Sequence, residues 1–203
     1  TSSPFYEGED TGLHSYRTKI FEALPLAGMP DYLNDWNHFE NLTEQLQNAG
    51  IINSVKDLWW DVRPHPGFGT VEIRVCDIPI NYKAILCLVA LIQALVVTLS
   101  KTEFAFDTHI QILQSNKWQA ARYGLEGVFV DPKTIQKITM RKAIENFYTL
   151  VEPVFISLGS AKYVKTIEEI LNQGTGSTKQ RKLYNSSKNF EYMLKSLGDQ
   201  FYQ

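Results

Sequence analysis

Apolar and polar residues alternate over residues 71–75 of segment 69–77, whose sequence is GTVEIRVCD. Successive side chains of a β-strand point to opposite faces, so a period of two predicts a strand here. One face is expected to meet a core, and the other to carry charge. The apolar face consists of Val71, Ile73 and Val75, and the polar face of Glu72, Arg74 and Cys76.

A second strand is predicted just before the first. Segment 58–63, LWWDVR, is rich in aromatic and β-branched residues. The connection that follows, PHPGFG, contains two prolines and two glycines and is typical of a turn. Adjacent antiparallel strands would place Asp61 and Arg63 beside Glu72 and Arg74 on one wall.

The rest of the chain reads mainly as helix. The most apolar run, 84–99, is shorter than the roughly 20 residues that cross a bilayer, so we expect a helix covered on most sides and no membrane span. Residues 1–80 are predicted as loops and strands with the polar residues, and 81–203 as mostly helical. The predicted helices are 16–23, 36–48 with Asp35 as its cap, 81–101, 107–121, 140–158 with Thr139 as its cap, 161–172 and 178–196, and a short strand is predicted at 128–130.

Composition narrows the class of protein. The 203 residues are 44% apolar and 21% charged, which is ordinary for a globular protein, and a formal net charge of −2 gives no basic footprint for nucleic acid. Cys76 and Cys87 match no zinc or disulfide spacing. Two cysteines without a disulfide framework are typical of a reducing compartment, so we expect a cytoplasmic protein, and the opening residues show no export signal.

The predicted wall suits phosphate chemistry. Carboxylate oxygens suit Mg²⁺, and the planar fork of an arginine suits phosphate oxygens. An isolated Glu-x-Arg is typical of a surface ion pair. Two carboxylates and two arginines on one sheet face are costly to bury without ligands, which favours a phosphoryl-transfer surface. Trp59, Trp60 and Phe68 suit either the stacking of an adenine or a core.

Four stretches in the same order resemble one family. Segment 60–77, WDVRPHPGFGTVEIRVCD, closely resembles the bacterial carboxylate–amine ligases, also called glutamate–cysteine ligase 2, and segments 3–17, 120–127 and 174–181 follow the same pattern. The resemblance implies an α+β, glutamine synthetase-like fold, with an antiparallel sheet curved around the active site and helices packed outside. Members use Mg²⁺ and ATP to couple a carboxylate, typically the γ-carboxyl of glutamate, to an amine such as that of cysteine.

The resemblance also implies roles for particular residues. Glu72 would bind Mg²⁺, and Arg74 would hold the γ-phosphoryl group of ATP. Arg63 is our candidate for a second anion contact, oriented by Asp61. The remaining candidates are Trp60 for the nucleotide, and Arg17 and Arg122 for substrate carboxylates.

Members of that family are about twice as long as this chain, which resembles their C-terminal half, as part of one catalytic domain. The other acidic metal ligands are expected in the N-terminal half, which becomes the expected protein partner. Helix 81–101 also suits a homo-oligomer interface. Two alternatives stay open: a non-catalytic binding or assembly module of this fold, and a ligase for a different acceptor amine.

Overall fold

The computed structural model describes residues 1–101 and 108–203, which divide into two compact units. One unit is Arg17–Cys76, and the other combines Thr1–Tyr16 with Asp77–Gln203. Helices and short two-stranded sheets are mixed in the described residues, which confirms the α+β class.

The helices largely follow the predicted pattern. Asp35 and Thr139 cap the helices that they were expected to cap, by accepting hydrogen bonds from the backbone N–H groups of His38 and Lys142. The described residues form eight α-helices: α1 (Tyr16–Glu22), α2 (Trp36–Asn48), α3 (Tyr82–Ser100), α4 (Ile110–Tyr123), α5 (Met140–Val151), α6 (Thr166–Gln173), α7 (Gly176–Ser187) and α8 (Phe190–Asp199).

Four helix boundaries differ from the prediction, and one of them is that of α6, which begins at Thr166 instead of residue 161. The segment predicted as one helix over 178–196 is two helices, because Lys188 adopts a left-handed conformation (φ 51°) and Asn189 caps α8. Helix α5 ends at Val151, where a 3₁₀ turn containing Pro153 follows. Helix α4 begins at Ile110, and its predicted first residue, Asp107, lies outside the described residues.

The strands are short and pair two by two. Their bounds are β1 (Phe5–Tyr6), β2 (Glu9–Asp10), β3 (Ala27–Gly28), β4 (Trp59–Trp60), β5 (Val62–His65), β6 (Thr70–Ile73), β7 (Val128–Val130) and β8 (Lys137–Thr139). Three pairs are antiparallel, β1–β2, β5–β6 and β7–β8, while β3–β4 is parallel. The described strands form four separate sheets, so the continuous curved sheet implied by the resemblance stays an expectation.

The core of the larger unit forms where α3 meets α5 and α6. Ala90 and Ala94 are buried, and their small side chains let Val151, Phe155 and Val164 pack closely against α3. By length and composition alone, α3 is also apolar enough to cross a membrane, with a mean hydropathy of 2.2, a test that the core helix of a water-soluble protein also passes.

The prediction that α3 is covered on most sides is wrong. Its buried face carries Cys87, Ala90 and Ala94, whereas Val89 is 56% exposed and Val96 50% exposed. A sequence that is apolar all round shows that a helix favours burial, but it does not say which sides find a partner.

Asp77 secures the first residues of the chain within the larger unit. Its buried carboxylate accepts hydrogen bonds from the backbone N–H of Ser2 (2.7 Å) and from the hydroxyls of Ser3 (3.1 Å) and Ser15 (3.0 Å). Charged acceptors give the stronger hydrogen bonds in proteins. The last residue of the alternating motif therefore holds the start of the chain in place.

Candidate functional site

The alternating motif forms one strand of a β-hairpin. Strands β5 and β6 are antiparallel neighbours, as predicted, and residue 63 lies directly opposite residue 72. The first strand is shorter than expected, because Trp59 and Trp60 belong to β4, which pairs with β3 instead. A 3₁₀ turn, Pro66–Phe68, joins the two strands and ends at Gly69 in a left-handed conformation (φ 63°) that glycine adopts without strain.

Arg63 and Glu72 form an ion pair across the hairpin. The Nη2 of Arg63 lies 2.5 Å from Oε2 of Glu72. Directly opposed residues in an antiparallel pair have neighbouring side chains, so the register alone brings these two groups together. Arg74 approaches the same oxygen, with its Nη1 at 3.6 Å.

The Arg63 guanidinium is buried and held by backbone carbonyls. Its side chain is 4% exposed. The Nη1 donates to the carbonyl oxygens of Lys56 (2.7 Å), Leu58 (2.9 Å) and Val55 (3.1 Å). Both Nη atoms thus have protein partners, and the anion contact expected of Arg63 stays a prediction.

Arg74 is the more accessible arginine of the pair, with 31% of its side chain exposed. Its guanidinium lies 5.8 Å from the ring centre of Trp59, within the range of a cation–π contact. Its Nε is buried and has no hydrogen-bond partner among the described residues. The backbone N–H of Arg74 donates to the carbonyl of Asp61 (2.7 Å), which ties β6 to the segment before β5.

Arg17 lies in the same unit as this cluster. Its Nη2 donates to the backbone carbonyl of Arg74 (3.0 Å), and its guanidinium lies 4.6 Å from the ring centre of Phe21. Phe21 in turn packs against Trp59, with ring centres 5.6 Å apart. The role predicted for Arg17, binding a substrate carboxylate, stays a prediction.

Charge lowers the pKa of Glu72. Partial removal from water raises the pKa by itself, but the hydrogen bond and charge of Arg63, followed by the charges of Arg74 and His65, outweigh that effect. Glu72 therefore favours the ionised form, the form that binds a cation.

The predicted apolar face of the hairpin is partly exposed, and two residues of the opposite face are buried. Arg63 and His65 are buried, whereas Val62 is 41% exposed and Val71 57% exposed. The expectation that Val71 faces a core is wrong in the described structure. Backbone carbonyls and Glu72 pair both Nη atoms of the buried Arg63 guanidinium, which favours its burial, while its Nε has no hydrogen-bond partner among the described residues.

The tryptophans take different positions. Trp60, predicted to contact the nucleotide, is buried among Phe39, Leu58 and Ile52 in the core of the smaller unit. Trp59 is 43% exposed and lies beside Arg74. If a nucleotide ring stacks here, Trp59 is the better placed of the two, because its ring is accessible.

His65 is a residue of the polar face that sequence reasoning passed over. It lies two positions after Arg63 on β5, so it shares that face, and its ring stacks on Phe68 with centres 4.5 Å apart. Its Nδ1 is buried without a hydrogen-bond partner among the described residues. The period of two would have identified it, had the strand been extended through Pro64.

Arg122 belongs to the other unit. It ends α4, where its Nη1 donates to the backbone carbonyl of Gly12 and its guanidinium lies 5.8 Å from the ring centre of Tyr123. Its predicted contact with a substrate carboxylate stays a prediction.

Glu72 suits one position in a magnesium site. Within residues 1–101 and 108–203, no three His, Cys, Asp or Glu side chains are grouped as a metal site. Protein-bound Mg²⁺ commonly takes only one or two carboxylates and completes its octahedron with waters and substrate phosphates. An ionised, partly exposed carboxylate beside a phosphate-binding type of side chain fits that arrangement as a single ligand.

The hairpin thus belongs to an α+β protein that presents a carboxylate and arginines together on one sheet face. The sequence model of glutamate–cysteine ligase family 2 matches residues 1–197, and the chain belongs to that family.

Several curated relatives carry the name "Putative glutamate--cysteine ligase 2". The one from Gloeobacter violaceus is 40% identical over 97% of this chain, and those from Chloroflexus aggregans and Solibacter usitatus are 36% and 34% identical over 97% and 95%. The matches cover 54%, 52% and 52% of those relatives, so the chain spans about half their length and corresponds to their C-terminal-like region.

Proposed function

We propose that this chain supplies the C-terminal part of an ATP-dependent carboxylate–amine ligase of the glutamate–cysteine ligase type, with the glutamine synthetase-like catalytic fold. The observation that carries the proposal is the pairing of Glu72 with Arg74 and Arg63 on the β5–β6 hairpin, in a chain of this family. The hairpin brings a carboxylate next to guanidinium groups, and this supports the proposal because phosphoryl transfer needs a ligand for a cation beside a ligand for an anion.

The proposed reaction has two steps. An oxygen of the substrate carboxylate bonds to the γ-phosphorus of ATP, the bond between that phosphorus and the β–γ bridging oxygen breaks, and ADP leaves. The amine nitrogen then bonds to the carbonyl carbon of the acyl phosphate, phosphate leaves, and the amine loses a proton to solvent. Activation is needed because a carboxylate does not accept an amine at neutral pH.

In this scheme the residues of the hairpin position charge. Glu72 binds Mg²⁺, which when bound neutralises charge on the phosphates of ATP. Arg74, whose side chain is 31% exposed, contacts the transferred phosphoryl group. Arg17 and Arg122 are proposed contacts for the carboxylates of the substrates, glutamate or a similar acid.

Completion of the site by the N-terminal half of the family fold is part of the proposal. Two apolar surfaces support it. One is the face of α3 with Val89 and Val96, and the other is the outer face of the hairpin with Val62 and Val71. Apolar surface of this kind favours a covering partner. In relatives, the half outside this match has the length to provide one.

The test is ADP release by this chain with Mg²⁺, ATP, glutamate and cysteine, alone and with the N-terminal part of the Gloeobacter violaceus relative. We expect ADP only when both parts, glutamate and an amine are present, and replacing cysteine with other amines then identifies the acceptor. A folded mixture of both parts that releases no ADP with any amine contradicts the proposal.

That negative result would favour the second candidate, a non-catalytic binding or assembly module. The observation on its side is that the described residues group no three acidic, histidine or cysteine ligands at one point. A module of this kind would bind the complementary part without forming ADP.

A further inference from the structure

Arg63 joins two parts of the smaller unit at the hairpin. On one side it holds the carbonyls of the Val55–Asp57 turn and Leu58, and on the other it holds Glu72. We propose that Arg63 is a positioning residue, which fixes the carboxylate of Glu72 in the orientation that binds the metal ion. This inference rests on the proposed function, because it assumes that Glu72 is a metal ligand.

The anchored side of Arg63 is rigid. Three carbonyl oxygens surround Nη1 at 2.7 to 3.1 Å, and the side chain is 4% exposed. Carbonyls at the end of a helical turn need donors, and leaving buried ones unpaired destabilises the fold. The guanidinium plane is therefore held by the backbone before Glu72 makes any contact.

The Nη2 of the same guanidinium donates a hydrogen bond to Glu72. The fork geometry of a guanidinium fixes the direction of Nη2 once Nη1 is held. Its 2.5 Å contact to Oε2 then orients a side chain that is otherwise 36% exposed. Arg74 reinforces the same oxygen at 3.6 Å, while Oε1 has no hydrogen-bond partner among the described residues.

The two oxygens of the Glu72 carboxylate therefore have different roles in this proposal. Oε2 contacts Arg63 and Arg74, and Oε1 binds the cation. Groups that orient metal ligands from behind commonly contribute about 10- to 100-fold to metal affinity or activity. Arg63 fits this position better than direct contact with phosphate, because both its Nη atoms are already occupied.

The variant Arg63→Lys distinguishes two roles of Arg63: orienting the carboxylate of Glu72, and stabilising the fold through hydrogen bonds to backbone carbonyls. A lysine ammonium has three donors for the three carbonyls but no second nitrogen that reaches Glu72. Arg141→Lys is the matched control, because Arg141 also links a backbone carbonyl, that of Leu171, to a glutamate, Glu126, but lies in the other unit.

The measurement is the affinity of the 203-residue chain for Mn²⁺, taken from the loss of the free-ion EPR signal. We expect Arg63→Lys and Glu72→Gln each to weaken binding at least about 10-fold, and Arg141→Lys to leave it unchanged. Binding by Arg63→Lys equal to that of the wild type overturns the inference, as does the lack of a Glu72-dependent Mn²⁺ site in the wild type.

Nitrogen-15 NMR of the arginine side chains covers the case in which Arg63→Lys does not fold. In the wild type, the Nη2 protons of Arg63 should exchange slowly and be broadened by Mn²⁺, while those of Arg141 are not broadened. Glu72→Gln should abolish the broadening by Mn²⁺, and broadening that persists in that variant overturns the inference.

The ADP assay distinguishes this inference from the proposed function. No ADP with any amine, together with Mn²⁺ binding that depends on Arg63, contradicts the ligase and leaves the positioning role standing. Wild-type ADP release and Mn²⁺ affinity in Arg63→Lys contradict only the positioning role. In an active assembly, raised Mg²⁺ should partly restore the turnover of Arg63→Lys, which a purely structural defect does not allow.

Discussion

At the scale of single residues, two carboxylates of the alternating motif, those of Asp77 and Glu72, have different roles. Asp77 closes the alternating motif yet holds Ser2, Ser3 and Ser15 in the larger unit. Glu72, five positions earlier, remains partly exposed between two arginines. Burial and partners, more than residue type, separate the structural carboxylate from the candidate ligand.

Glu72→Gln is the direct test of that candidate. Because the neutral amide is a poor Mg²⁺ ligand, we expect ADP release by the assembled protein to fall by at least about 100-fold. The melting temperature should change little, since Arg63 keeps its three carbonyl partners. Glu126→Gln, a change in the exposed glutamate paired with Arg141, is the control and should keep full turnover. Near-normal turnover of Glu72→Gln excludes Glu72 as a ligand.

His14 makes the stability of the larger unit depend on pH. Burial, followed by the charges of Arg181 and the N-terminus, lowers the pKa of His14 below its ordinary value of 6.5. The unfolded chain therefore binds the proton more readily, and the stability associated with neutral His14 is complete above pH 6.5 and lost as the pH falls below it.

Thermal unfolding measured between pH 7.5 and 5 tests whether His14 lowers the stability of the chain as the pH falls. The melting temperature of the wild type should fall on acidification more steeply than that of His14→Asn, whose amide keeps a hydrogen-bonding group near the Ser177 hydroxyl but does not titrate. Parallel curves for the two proteins would show that His14 does not contribute to the pH dependence.

At the scale of elements, α3 has two apolar faces with different environments. Cys87 lies on the buried face, and burial raises the pKa of its thiol to about 11. Val89 lies two residues further along, on the exposed face. The thiolate is the reactive form of a cysteine, and burial disfavours it. The rate at which a cysteine on α3 reacts therefore shows whether its side of the helix is covered.

Labelling with a thiol reagent at pH 8 makes the comparison. In a Cys76→Ser background, Cys87 should react only as fast as the chain unfolds. Val89→Cys, made in a background that lacks both natural cysteines, should react at once. Rapid labelling of Cys87 under native conditions would contradict the packing of α3 against α5 and α6.

At the scale of the whole molecule, the chain belongs to a family whose relatives are about twice as long, and its two units each expose apolar surface. Val71 lies on the smaller unit, and Val96 on the larger one. Such surfaces favour association, either with the complementary half of the family fold or with another copy of the chain.

Gel filtration distinguishes these partners. We expect the chain alone to self-associate as its concentration rises. Addition of the N-terminal part of the Gloeobacter violaceus relative should give a complex with one copy of each part. Replacing Val89 and Val96 with Asp should weaken that complex while the chain stays folded, since both side chains are exposed. A complex that is unaffected by these changes would place the partner elsewhere.

The sequence by itself determined the local structure of this protein. The period of two at 69–77 predicted the strand, and Asp35 and Thr139 marked helix starts, because caps and alternation depend on residues close together in the chain. The motif also predicted the family. The opposition of Glu72 and Arg63 followed from a hairpin that turn residues define.

Tertiary structure decided which faces are buried. The apolar pattern predicted that Val71 faces a core, but the fold leaves Val71 exposed and buries Arg63 on the opposite face of the hairpin. The burial of Arg63 depends on the carbonyls of Val55, Lys56 and Leu58, whose approach to Arg63 no local pattern encodes. Burial is a property of what packs against a residue, so it is settled only when distant segments meet.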